Sequence, residues 1–416
     1  MNAAMQSNAA MQSVLAALRD AEWLNGRRAR VYPRLLLAAS LGLALIWIVA
    51  ARGGIDLAGK PLGTDFLSFF AASALALQGR AAQVYDVAAH WAAQKAVFGP
   101  AVGYSAFFYP PPYLLVCLPL ALAPYFVSLI VWLAATGYAY WRVLPAWAGP
   151  RFDAAVLLAF PAFLVNVGHG QNGFLSAALI GAGALRLDRR PIVAGLLFGA
   201  LVYKPQLALM IPIALIASRR WTTLAAAAVS AAALCAATYL IWGAAVWQGF
   251  LDASPLARAA LERHLVGDDK MQSVFAAARL LHGPLALAYF AQGLAALAAA
   301  AALFWLQRRD FRGPSEGPAL VAATLLASPF LLDYDLTLLA FPIAYLAREG
   351  LGRGFAPFEK SVLILAYLLP LASRILAGGL DLPIAAPTIA ATLYFVACRR
   401  PAGAAAASPL IATAES

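Results

Sequence analysis

Asp65 opens the stretch "DFLSFFAASALALQG", a lone carboxylate among aromatic and small residues. Such a group can act as a general base, or it can simply complement the dipole of the helix behind it. Lys204 in "ALVYKPQLALM" has apolar chain on both sides. Ionisable residues at membrane depth mark functional sites by default, although a lysine there can also snorkel to the headgroups. "NVGHGQNG" gathers His169, Gln171 and Asn172 in one glycine-flanked turn. Their amides both donate and accept, which suits hydroxyl recognition, and a solvated turn is the plainer alternative. In "SPFLLDYDLTLL", Asp333 and Asp335 flank Tyr334, and Asp335 could instead cap the next helix. "DDKMQSVFAAARLL" adds Lys270, Gln272, Ser273 and Arg279, and Arg374 near the end of a later apolar run either binds phosphate or snorkels. The set offers a proton acceptor, cations for a phosphate and groups for sugar hydroxyls.

The elements that must position these residues follow from composition. The chain has 416 residues, 63% hydrophobic and 12% charged, with a mean hydropathy of +0.77. Soluble domains are about 45–50% apolar and about 25% charged. A polytopic, all-α membrane protein is predicted, so the net charge of +11 is a topology signal and points to no nucleic acid. Candidate spans run over 35–51, 124–141, 153–167, 173–187, 191–203, 205–217, 222–243, 284–306, 318–332, 336–347, 361–380 and 383–397. Several are short for about 30 Å of hydrocarbon, which predicts broken helices covered by protein or water. The first run resembles an uncleaved signal anchor, since its charged leader is too long for a signal peptide. The duplicated "NAAMQS" ahead of it reads as disordered. Cys117, Cys235 and Cys398 have no metal-ligand or disulfide spacing and read as small apolar residues.

Charge parity sets the direction. If 107–141 crosses once, most of the 30 lysines and arginines fall on one face, which is then cytoplasmic. About twelve crossings result, with a basic cytoplasmic segment at 1–34, a transmembrane domain at 35–397 and a cytoplasmic tail at 398–416. Whether 107–123 re-enters the membrane or belongs to a span stays open. Asp65, "GHGQN", "YKPQ", "LLDYD" and the loop 244–283 then share the outer face. Helical spacing of Phe66, Phe69, Phe70, Ser73 and Leu77 predicts a helix lying on the outer leaflet, and Asp86 reads as the N-cap of a second one.

The order "GTDF…VYD", "FFYPPP…LPLAL", "GHGQNG", "AGLLFGALVYKPQ", "MQSVF…R", "SPFLLDYD" from 63 to 335 is similar to glycosyltransferase family 87, integral-membrane enzymes of the GT-C fold. The resemblance implies a hexosyltransferase acting at the outer face of the inner (plasma) membrane. It would move a mannosyl or related group from a polyprenyl-phosphate donor to a lipid or glycan acceptor. It makes Asp65 the catalytic base and Lys204 a contact of the donor phosphate, to which Lys270 and Arg374 are joined. Tyr109, His169, Gln171, Asn172, Gln272, Ser273 and Asp335 form the expected sugar and acceptor set. The "SPFLLDYD" motif departs from the histidine-containing version of mycobacterial members.

On this reading Asp65 and Lys204 face each other across one cavity open to the outer leaflet. Deprotonation of an acceptor hydroxyl by Asp65 gives a one-step, inverting displacement. No cofactor is required; a divalent metal between Asp65 and Asp335 is conceivable, but no clustered DxD demands one. No P-loop, GxSxG, HExxH or dinucleotide fingerprint is present. The rival class is a transporter or lipid flippase. It predicts an internal repeat and mid-depth polar sites, and uptake by sealed vesicles would separate it from sugar transfer.

Overall fold

The structure, a computed structural model, describes residues 2–399 apart from 152, 264, 268 and 310. The expected tail at 398–416 therefore lies almost wholly outside the described residues, as does Asp268 of "DDKMQS". From the N-terminus, α1 (Asn2–Asp20) and α2 (Gly26–Ala50) lead to α3 (Phe66–Leu77), α4 (Val87–Phe98), α5 (Pro112–Cys117) and α6 (Tyr125–Ala148). Then come α7 (Ala154–Leu158), α8 (Pro161–His169), α9 (Gly173–Ala184), α10 (Pro191–Gly199), α11 (Pro205–Ala208), α12 (Met210–Ala217) and α13 (Trp221–Glu262). α14 (Val274–Leu280), α15 (Leu285–Arg309), α16 (Glu316–Ala327), α17 (Ala340–Arg353), α18 (Glu359–Leu380) and α19 (Ala385–Cys398) follow. Among the described residues no strand forms, and extended chain pairs only in three isolated bridges.

Local chemistry sets many boundaries. Pro112, Pro161, Pro191 and Pro205 open their helices, where a missing N–H costs nothing. Asp86 accepts from the Ala89 N–H at 2.7 Å and caps α4 as expected. Asp153 caps α7 through the Ala155 N–H at 2.9 Å.

Long and short helices occupy different places. α2, α6, α13, α15 and α18 are long and apolar enough to cross a membrane, and much of their surface is open. The shorter α3, α9 and α16 are buried nearly all round. A helix enclosed by protein can stop short because its terminal N–H and C=O groups need not face lipid. Of the about twelve expected spans, five are helices of membrane length and the others are shorter apolar helices. The segment 112–122 is one of these; at 1.5 Å per residue it is about 16 Å long, too short to cross alone.

Four expectations change in the structure. α3 does not lie on a leaflet surface: Phe66, Leu67, Phe69, Ala71, Ala72 and Leu75 are all buried, packed by α4 and by the chain around α5. Its sequence is apolar on every face, the mark of an interior helix. The duplicated N-terminal segment is helical, and the end of α1 docks on the start of α18, where Phe358 N–H donates to the Arg19 carbonyl at 2.6 Å. The loop 244–283 is helical as far as Glu262, because α13 resumes after a break at Gly243 with φ +75°. The span at 336–347 begins as a 3-10 helix over Asp333–Leu339 before becoming α17.

α9, α10 and α16 each run between two polar clusters. At one end, Arg220 makes a two-pronged pair with Glu316, at 2.9 and 2.6 Å. It also donates to Asp188 at 2.8 Å and to the Leu187 carbonyl at 3.1 Å. At the other end, about 18 Å of α16 away, lie the turns that carry Asp65, His169, Lys204 and Asp335.

Candidate functional site

Asp65 occupies the N-cap position of α3 yet makes no capping bond with its side chain. Its backbone N–H donates to the His169 carbonyl at 3.0 Å, fixing the two turns to each other. Gln171 Nε2 donates to Asp65 Oδ2 at 3.2 Å, and His169 Nδ1 stands 3.7 Å from the same oxygen. The carboxylate is 32% exposed. Among the described residues only Oδ2 accepts a hydrogen bond, which leaves Oδ1 for an incoming hydroxyl.

The turn after α8 is shaped by two glycines. Gly170 is left-handed, φ +65°, and a Cβ there would come within 2.6 Å of Phe66 Cβ. A Cβ at Gly173 would meet Asn166 Oδ1 and the Tyr334 carbonyl, each at 2.5 Å. Trp132 Nε1 donates to the Gly170 carbonyl at 3.0 Å and braces the turn from α6. Gln171 Oε1 accepts from Tyr109 Oη at 3.3 Å and from the Asn172 N–H at 2.8 Å. Tyr109 thereby orients the amide that holds Asp65.

Lys204 is sealed below this turn. Its Nζ donates to Asp335 Oδ1 at 2.5 Å and to Asn172 Oδ1 at 3.1 Å, with the Tyr334 ring centroid at 4.9 Å. The lysine and aspartate side chains are 2% and 1% exposed. Asp65 and Lys204 therefore do not face each other across open space. They are joined through the consecutive side chains of Gln171 and Asn172, and the expected cavity is filled by these amides. The Asn172 amide lies beside the Tyr109 and Tyr113 hydroxyls, yet Asn172 Nδ2 and Tyr113 Oη close no hydrogen bond. Asn166 Nδ2 and His169 Nδ1 are also buried without a partner. Buried polar atoms are nearly always matched, so four unmatched ones in one cluster mark a place where polar atoms are meant to arrive.

A second set of charges borders the first. Arg374 from α18 lies 3.3 Å from Asp333 Oδ2 and 3.6 Å from Asp269 Oδ2, with its side chain 37% exposed. Burial pushes the Asp333 carboxyl up, opposed by the neighbouring Arg374 charge. The loop after α13 is tied here by backbone bonds from Gln272 N–H to the Leu331 carbonyl at 2.8 Å and from Asp333 N–H to the Lys270 carbonyl at 3.2 Å. Gln272 Nε2 donates to the Asp269 carbonyl at 3.1 Å, while Ser273 Oγ caps α14 through the Ala276 N–H at 3.1 Å. A cleft opens alongside, lined by Gln272, Ser273, Leu280, Ser373, Ala377 and Ile384 among others. Among the described residues, no three His, Cys, Asp or Glu side chains are arranged to hold a metal ion.

The sequence profile of glycosyltransferase family 87 matches residues 107–329, more than half of the chain. The chain belongs to glycosyltransferase family 87. No curated protein and no solved structure matches it. The family makes it a glycosyltransferase, and its apolar helices make it a membrane protein. The matched stretch of this glycosyltransferase holds Tyr109, the 166–173 turn, Lys204 and the 269–273 loop, and leaves out Asp65, Asp333, Asp335 and Arg374. The hydrogen bonds described above join the two groups.

Of the residues singled out in the sequence, Asp65, Tyr109, His169, Gln171, Asn172, Lys204 and Asp335 form one connected cluster. Lys270, Gln272, Ser273 and Arg374 form its border, with Gln272 and Ser273 occupied by structural bonds. Asn166, Tyr113 and Asp269 are additional members that the sequence reading left out. Asn166 was the most legible of them: a fully buried amide inside an apolar run, it accepts from the Gly173 N–H at 2.9 Å.

Proposed function

We propose that this glycosyltransferase moves a hexosyl group, mannosyl foremost, from a polyprenyl-phosphate donor to a hydroxyl of a lipid or glycan acceptor at the outer membrane face. Asp65 is the base. The observation that carries this reading is its partly exposed carboxylate, held on Oδ2 by Gln171. A carboxylate so placed can take the acceptor proton as the new bond forms, a contribution of about 10²–10⁴-fold. Asp333 and Asp335 are each matched to a cation, so Asp65 acts alone and the displacement inverts the sugar.

The departing phosphate is already a stable anion and needs a cation rather than an acid. Arg374 is the best placed of the three basic residues, being partly open and next in sequence to Ser373 of the cleft; Lys270 on the neighbouring loop is the second. Lys204 contributes from below: its ammonium, neutralised by Asp335, holds the Asn172 amide in place under the site. The apolar side of the cleft, with Leu280, Ala377 and Ile384, suits the isoprenoid chain next to the phosphate. The outer-face assignment rests on Arg186, Arg189, Arg190, Arg219, Arg308, Arg309 and Arg312, which all fall toward the opposite end.

The test is sugar transfer in isolated membranes from a panel of radiolabelled polyprenyl-phosphate hexoses. Wild-type protein transfers at least one of them, and Asp65→Asn transfers none. Full transfer by Asp65→Asn removes the proposed base.

A further inference from the structure

His169 stands in the cluster with a feature that hydroxyl binding does not use. Its Nδ1 is buried, has no hydrogen-bond partner and lies 3.7 Å from Asp65 Oδ2. That gap closes with a shift of under one ångström, and catalytic hydrogen bonds are often long before substrate arrives. The main chain makes the approach repeatable, because the Asp65 N–H is bonded to the His169 carbonyl. The imidazole is not sealed, its side chain being 18% exposed, and among the described residues no hydrogen bond engages Nε2. Other groups near the ring are Tyr334, with its centroid 6.2 Å away, and Asp333, which is paired with Arg374.

We propose that His169 is the proton-relay partner of Asp65, receiving at Nδ1 the proton that Asp65 takes from the acceptor. This rests on the glycosyltransferase reading given above and adds a second group to its base. The acceptor O–H bond breaks as its oxygen forms the bond to the anomeric carbon. The bond from that carbon to the phosphate oxygen breaks, and its electron pair leaves with the phosphate. The proton passes to Asp65 Oδ1, and a half-turn about the soft carboxylate torsion presents it to His169. Nδ1 accepts it and Asp65 returns to its charged form; the imidazolium releases its Nε2 proton to water, and proton exchange with water returns the ring to its Nε2–H tautomer before the next turnover. The relay matters because Gln171, the other neighbour of Oδ2, offers an amide that can hold a carboxylate and cannot take up a proton.

The experiment measures kcat and KM for the polyprenyl-phosphate sugar that wild-type membranes use, in wild type, His169→Ala and His169→Gln, with and without imidazole. Absence of transfer by wild type from every donor would reject the underlying reading rather than the relay. Given wild-type transfer, His169→Ala is expected to lose about 10- to 100-fold in kcat with KM within about threefold, and millimolar imidazole to restore about a tenth or more of the lost rate. A kcat within twofold of wild type overturns the proposal, as does a loss that imidazole leaves unchanged. If His169→Ala does not accumulate in membranes, His169→Gln carries the test. A tenfold or greater fall in kcat at constant KM supports the relay, and a kcat within twofold overturns it.

Discussion

The two polar clusters at the ends of α9, α10 and α16 use the same ingredients and finish differently. At the Arg220 end, a guanidinium fork meets Glu316 with two bonds and reaches Asp188 and a main-chain carbonyl with the rest. At the Lys204 end, the ammonium is matched to Asp335 and Asn172, but Asn172, Asn166, Tyr113 and His169 around it keep polar atoms without partners. A closed network fixes how helices meet. An incompletely matched one beside a partly open carboxylate is suited to binding and reaction. Both pairs are buried, and the Arg220 end has an unmatched Thr223 hydroxyl of its own, so what distinguishes the site is four unmatched side chains beside a partly exposed carboxylate.

Replacing each pair by apolar residues of similar size sharpens this contrast most. Apolar replacement of a buried ion pair is often neutral or stabilising by about 1–4 kcal/mol. Arg220→Met with Glu316→Leu is therefore expected to keep its melting temperature in detergent and its transfer rate within a few-fold. Lys204→Met with Asp335→Leu is expected to fold as well, yet to lose transfer by about 100-fold as Asn172 and the turn that holds Gln171 lose their support. Equal activity in the two double variants would erase the distinction between the ends.

Arg374→Ala comes next. Losing a charge-assisted bond of about 1.5–3 kcal/mol raises the donor KM roughly 10- to 100-fold, read from initial rates at varied donor. Stability should hardly move, since the residue is partly open and its pairs are long. An unchanged KM would leave Arg374 as a partner of Asp333 and Asp269 alone.

The smallest effect is a pH dependence of folding that lies outside the site. His90 in α4 bonds through Nε2 to the Ser68 carbonyl at 3.0 Å, and Gln94 closes on its other nitrogen at 3.3 Å. Burial lowers its pKa from 6.5 to about 4. The unfolded chain therefore binds the proton first as pH falls, and stability present above 6.5 is lost progressively toward 4, by at most about 3 kcal/mol. Thermal melts of wild type and His90→Gln between pH 7 and 4 check this, the variant showing a shallower decline. Parallel declines would remove His90 as the source.

Much of this arrangement could be read from charge and hydropathy. The convergence of the turns holding Asp65, His169, Lys204 and Asp335 followed from where arginines and lysines cluster, and direct hydrogen bonds join those turns in the structure. What escaped the sequence reading was pairing at a distance. Nothing local to "YKPQ" says that Lys204 meets an aspartate 131 residues later, so the lysine read as free for a phosphate. The burial of α3 was legible and was missed: a helix with apolar residues on every face belongs inside. The extent of α13 was harder to see, because Gly243 and Pro255 punctuate a segment whose alanines, leucines and arginine still favour helix.

The central claim is that chemistry resides at the end with the open carboxylate and that the opposite end only holds the helices. Turnover per folded molecule, measured side by side for Asp65→Asn and Glu316→Ala, addresses it most directly. The account predicts wild-type melting with no transfer for Asp65→Asn. For Glu316→Ala, which strands a buried guanidinium, it predicts a loss of about 3–5 kcal/mol in stability with turnover of the remaining folded protein unchanged. Transfer surviving in Asp65→Asn, or lost from well-folded Glu316→Ala, would contradict it.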